Sequence, residues 1–125
     1  QAFDDAIALG GYPIDIHAPS SETTATTRLQ PSARYQIPLR SLMVERPENL
    51  LVVGRCISAT HEAAAAFRVS PIAMAIGQAG GVAAAEAARR GVNPAQVPFA
   101  AIRERLLQQG AQLPSPETSA PAATA

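Results

Sequence analysis

The chain has 125 residues, enough for one domain with one modest core, and a domain this short buries only about two-thirds of the surface its unfolded chain exposes. Ten basic and ten acidic residues cancel and no Lys/Arg stripe forms, which argues against a nucleic-acid partner. The single cysteine, Cys56, excludes an internal disulfide framework and a multi-cysteine metal site, and it fits a reducing, cytoplasmic setting.

Residues 1–34 read as the end of a substrate-side segment followed by a loop. The chain opens at Gln1 without the charged, apolar and small-residue succession of a signal peptide, so a preceding N-terminal part of the same protein is expected. A short mixed segment runs to the Gly10-Gly11 break. After it Tyr12, Ile14 and Ile16 alternate with Pro13, Asp15 and His17, the period of a strand. From Ala18 to Ser32 the Ser/Thr/Pro-rich run predicts a loop.

Residues 35–113 read as one α/β unit. Tyr35 to Met43 is expected to be extended, with Pro38 restricting it to a sheet edge. The run LLVV before Gly54 has the pattern of a strand buried on both faces, and the next fifteen residues, CISATHEAAAAFRVS, read as a connecting loop. Ser70-Pro71 predicts a helix start, with Ser70 as cap, and Gly91 a stop.

That helix is small or apolar around its whole circumference, so it is expected to lie buried in a larger body than this chain builds alone. It contains Gly77, Gly80, Gly81, Gln78 and Glu86 and is rich in alanine, which argues against a membrane span. Three internal glycines, each unfavourable by about 1 kcal/mol relative to alanine, predict close packing against a neighbour. A second helix from Pro98 to Gln109 should be amphipathic, with Phe99, Ile102 and Leu106 on one face. Residues 114–125 lack the apolar content to order themselves and predict a disordered tail.

Strand LLVVGR, its connection and the helix beginning PIAMAIGQAGG place a glycine at a strand end and a helix N-terminus beside it. Ligands bind at that edge of open α/β sheets, and free amides with the positive end of a helix dipole favour an electron-rich oxygen. These residues also carry a specific resemblance. The run from IPLRSL through NLLVVGRCISATHEA to RVSPIAMAIGQAGG closely resembles the C-terminal part of the FAD-dependent oxidoreductase family, whose members carry an IPYRSL, NLLVAGRCISATHEA, R-V-x-P-x-x-M-x-x-G-Q-A-A-G series. The preceding GGYPIDIH resembles that family's strand before the series, and the match spans roughly residues 4 to 113. The chain departs from the series at Ala63 to Phe67 and at Gly80, where GQAAG becomes GQAGG.

The resemblance implies the C-terminal portion of an FAD/NAD(P)-binding, Rossmann-like flavoprotein domain, with FAD as cofactor and a small-molecule substrate. The G-x-G-x-x-G unit that grips the ADP half of FAD is absent from this sequence. By the same resemblance Gly54 and Arg55 would lie near the pyrophosphate and ribityl chain. The amides of the turn formed by Ser70, Pro71, Ile72, Ala73 and Met74 would face the N1–C2=O edge of the flavin.

Among the residues ahead of the helix, Arg68 is either a fixed cation near flavin or substrate or one half of a structural ion pair. His61 is either an acid/base group or a histidine bonding the loop backbone. His17 with Asp15, at i and i+2, is either an oriented acid/base pair or structural. Cys56 reads as a small buried residue before it reads as a nucleophile. Two further readings compete with the oxidoreductase: a non-enzymatic module docking through residues 71–90, and a hydrolase using Cys56 or Ser58 with His61. The second lacks a nucleophile elbow and an acidic partner.

Overall fold

The computed structural model describes residues 2–16, the backbone of 25–27, and residues 34–115. His17, most of the 18–32 loop and nearly all of the expected tail lie outside the described residues. Strands β1 (Ala6–Gly10), β2 (Ile14–Ile16), β3 (Ala25–Thr27) and β4 (Tyr35–Pro38) precede helices α1 (His61–Phe67), α2 (Ser70–Arg90) and α3 (Phe99–Gln108). Both sheets are antiparallel pairs, β1 with β4 and β2 with β3, so the result is a small mixed α/β fold with no parallel strands among the described residues.

β1 departs from the reading of residues 1–9 as an irregular segment. AIALG has no period-two alternation to reveal it, because Ala6, Ile7 and Ala8 are all buried, and its partner β4 lies far along the chain. A strand covered on both sides reads as a continuous apolar run and cannot be distinguished by periodicity. The predicted strand over Tyr35–Met43 is shorter than expected. It ends at Pro38, the Leu39 N–H donates to Asp5 O at 2.8 Å, and the chain turns through a 3-10 segment, Leu39–Leu42. Asp5 accepts from the Arg40 N–H at 3.0 Å and from Arg40 Nε, while the guanidinium lies 5.5 Å from the Phe3 ring centre.

The strand expected at LLVV does not form as a buried element. Leu51 makes one bridge with Met43, the Val52 N–H donates to Leu42 O at 2.9 Å, and Leu50 and Val53 are exposed. A strand apolar on both faces needs a backbone neighbour on each side, and among the described residues these four pair only with the Leu42–Met43 backbone. The expected loop after Gly54 is also largely helix. Thr60 Oγ1 accepts from the Ala63 N–H at 3.2 Å, capping α1, and the four alanines that follow have the highest helix propensity of any residue.

α2 spans its predicted length, but its cap differs from the expected one. Val69 occupies the N-cap without a side-chain bond, and Ser70 is already inside the helix. Gly91, at φ 66° and ψ 34°, closes the other end with its N–H shared between Ala87 O and Ala88 O. Ile72, Ile76, Ala79, Val82 and Ala83 form its buried face, against β1, α3 and the turns at Leu39–Leu42 and Gly54–Cys56. Pro71, Met74, Gly81, Ala84 and Ala88 are exposed, so α2 is half-buried here and not enclosed all round. α3 follows its predicted face, with Ile102 and Leu106 fully buried and Phe99 packed beside them. The core therefore sits between α2 and a thin layer made of β1, β4 and α3.

One buried charge holds α2 to α3. Glu86 accepts from Arg89 at 3.1 Å, Arg90 at 3.4 Å and Arg105 of α3 at 3.2 Å. Burial alone would raise its pKa, but the three guanidinium groups outweigh this and hold the carboxyl below its ordinary value. A depressed folded-state pKa contributes stability that is present above the unfolded value and is lost as pH falls through the folded one. Thermal midpoints measured from about pH 7 down to about pH 3 should therefore fall less steeply for Glu86→Gln than for the parent. Equal slopes would show that the carboxylate is energetically idle.

Candidate functional site

Three pieces of chain meet at the start of α2. The first is the turn Gly54–Cys56, which Gly54 opens at φ 68°, a left-handed conformation that suits glycine, with no atom within 4 Å of where a β-carbon would stand. The second is the junction of α1 and α2 at Arg68 and Val69. The third is the first turn of α2 itself. An open cleft lined by Arg55, Arg68, Val69, Ser70 and Pro71 lies between them.

Arg55 reaches across this cleft. Its Nε donates to Arg68 O at 2.6 Å, and Nη2 lies 3.5 Å from Ser70 Oγ, at the outer limit of a hydrogen bond. Among the described residues it has no carboxylate partner, so its charge stays uncompensated beside the positive end of a 21-residue helix. Arg68 is oppositely placed. Its Nη2 donates to Asp15 O and to Asp15 Oδ2, both at 3.2 Å, which is the ion-pair alternative for this residue and ties β2 to the helix junction.

Intrahelical bonding of α2 begins with the Ala73 N–H donating to Val69 O at 3.0 Å, and Pro71 has no N–H. The amides of Ser70 and Ile72 consequently fall outside the helical ladder. The Met74 side chain is 73% exposed on the same turn and gives the cleft an uncovered apolar neighbour. Of the sequence-derived cofactor residues, the structure thus brings Gly54, Arg55 and Ser70 to Met74 to one region.

The proposed acid/base groups do not join them. His61 is exposed on the first turn of α1 rather than in a loop, and it lines neither this cleft nor the cavity described next. Cys56 is exposed, contrary to the expectation of a small buried thiol, because the turn after Gly54 carries it out of the core. Asp15 pairs with Arg68, and His17 lies outside the described residues.

On the other side of α1 lies a half-open cavity of about 430 Å³. Ile14, Tyr35, Ile37, Ile57, Ala63 and Phe67 give it apolar walls, and Gln36, Ser41, Ser58 and Glu62 are its polar members. Sequence reasoning missed this feature because it depends on α1 being a helix. The signal was Thr60 followed by an alanine run. Tyr35 Oη donates to Ala66 O at 2.7 Å and pins α1 to β4, while partial burial pushes the phenol pKa up. Tyr35→Phe should lower unfolding stability by about 1 kcal/mol in denaturant titration, with the fold retained. No change would mean that this bond does not hold the cavity wall.

A left-handed glycine turn, an arginine with no carboxylate partner among the described residues and orphan helix amides lie on one edge, a set of groups whose chemistry suits an anion or a carbonyl oxygen. The profile of the FAD dependent oxidoreductase family matches residues 1–106. The chain belongs to that family. Comparison with curated proteins and with solved structures gave no match.

Proposed function

We propose that this chain supplies the flavin-facing strand, turn and helix of an FAD-dependent oxidoreductase acting on a small molecule. The G-x-G-x-x-G unit that holds the ADP half would lie in sequence beyond these residues. The observation that carries the proposal is the convergence of Gly54 and Arg55 on the first turn of α2 in a chain of this family.

The residues fit the cofactor by their chemistry. Space beside Gly54 admits a phosphate or ribityl group, Arg55 supplies a permanent cation, and the Ser70 and Ile72 amides offer hydrogen bonds to a ring carbonyl. Pro71, Ala73 and Met74 complete that turn, with Met74 giving the ring an apolar contact. FAD, when bound, supplies the two-electron acceptor. The chain's own part is electrostatic: the α2 dipole and Arg55 favour negative charge on the bound ring edge, without reorganisation. Arg68, neutralised by Asp15, acts as a strut that presents its carbonyl to Arg55. The cavity behind α1 is the place assigned to the substrate, since its volume falls within the range of about 300–1,000 Å³ usual for small-molecule sites and its walls are mostly apolar.

The test is the visible flavin spectrum of the protein produced from its complete reading frame, compared with Gly54→Asp and Gly91→Asp. Both glycines are left-handed, at φ 68° and φ 66°, with open space beside them, so the backbone strain is alike. Only Gly54→Asp places a carboxylate in the cleft. Flavin should be lost from Gly54→Asp and kept by Gly91→Asp. A folded parent without flavin, or equal retention by both variants, would overturn the proposal.

A further inference from the structure

Gly80 is one of the places where the chain departs from the family series, and its surroundings give the departure a reason. It is buried on α2, and a β-carbon built there would overlap Cγ1 of Val53 while also touching Leu42 at 3.4 Å. Gly77 and Gly81, its neighbours on the helix, have nothing within 4 Å of the corresponding point. Close packing was expected at all three glycines, and it is required at Gly80 alone. The missing methyl leaves a notch, and Val53 occupies it.

Val53 is also the residue from which the cofactor-facing turn departs. It is the N-cap of Gly54–Cys56, with φ −131° and ψ 172°, and its carbonyl accepts the Cys56 N–H at 3.4 Å. Its other neighbour, Val52, is tied by its N–H to Leu42 O. Gly80 and Ser70 are ten residues apart on α2, about 15 Å along the axis at 1.5 Å per residue. Val53 meets the helix at one of these points and Arg55 at the other. Two residues of extended backbone cover only about 7 Å of that span, so the arginine side chain must stretch over the rest. The height at which Val53 seats therefore determines whether Arg55 reaches Arg68 O and Ser70.

We propose that Val53, seated in the notch at Gly80, is a positioning residue that sets the Gly54–Arg55 turn at the height where Arg55 meets the start of α2. The inference rests on the flavin reading given above. A methyl added at Gly80 pushes Val53 outward and lifts the turn. Removing the Val53 methyls leaves the turn unseated. Doing both moves bulk from one side of the contact to the other and seats it again.

The experiment measures the FAD dissociation constant and the thermal midpoint of the apoprotein for the parent, Gly80→Ala, Val53→Ala and the double variant, in protein from the complete reading frame. Each single variant should bind FAD at least about tenfold more weakly, and the double variant should recover most of that loss. If Gly80→Ala does not fold, Val53→Ala against the double variant gives the same comparison. Lower midpoints with unchanged FAD affinity would show the contact to be structural only and overturn the inference while leaving the flavin site intact. A folded parent that binds no FAD would overturn both.

Discussion

The buried face of α2 is the constraint on which the rest of this chain depends. Ile72, Ile76, Ala79, Val82 and Ala83 lie along one side of the helix, and β1, α3 and three short turns all pack on that helix. The core is mostly Ile, Leu and Val with Phe67, and Ala8, Ala79, Ala83 and Ala87 lie among them. Burial yields roughly 25 cal/mol per Å², so the larger aliphatic side chains supply most of the stabilisation while the alanines of α2 let its neighbours approach closely. Gly80 shows that close approach directly, since a single methyl there has no room.

Polar contacts then fix what the thin core leaves undetermined. Asp5 and Arg40 hold the N-terminal strand to the turn after β4, Asp15 and Arg68 hold β2 to the start of α2, and Glu86 holds α2 to α3. The arginines of these contacts are substantially exposed, so the energy of each pair is modest and geometric specificity is the larger contribution. Their arrangement has one consequence for chemistry. Of the two arginines at the cleft, Arg68 is neutralised by Asp15, whereas Arg55, with no carboxylate partner among the described residues, stands where the helix dipole is positive.

Much of the helical architecture was legible in the sequence, and the sheet was not. Pro71 and Gly91 delimit α2 because one fits a first turn and the other a left-handed stop, and both are local effects. α3 is readable from Phe99, Ile102 and Leu106 for the same reason. β1 escaped because its partner is distant and both its faces are covered. LLVV was read as a buried strand because a four-residue apolar run carries that pattern whether or not neighbours flank it. The strand-to-helix pattern predicts a loop at α1, although Thr60 and four alanines mark a capped helix. The residues proposed to face the cofactor are indicated by resemblance, whereas the pairing of Arg68 with Asp15, the exposure of Cys56 and the cavity behind α1 follow only from tertiary contacts.

No helix among the described residues is long and apolar enough to cross a membrane, and no cluster of metal-ligating side chains occurs among them. The proposed flavin contact lies at the cleft at the start of α2. Its most direct test is backbone amide hydrogen exchange of the full-length protein with and without saturating FAD. Slower exchange concentrated at Gly54, Arg55, Ser70 and Ile72 is the predicted result. Bound FAD that leaves those amides unchanged while protecting other parts of the chain would contradict it.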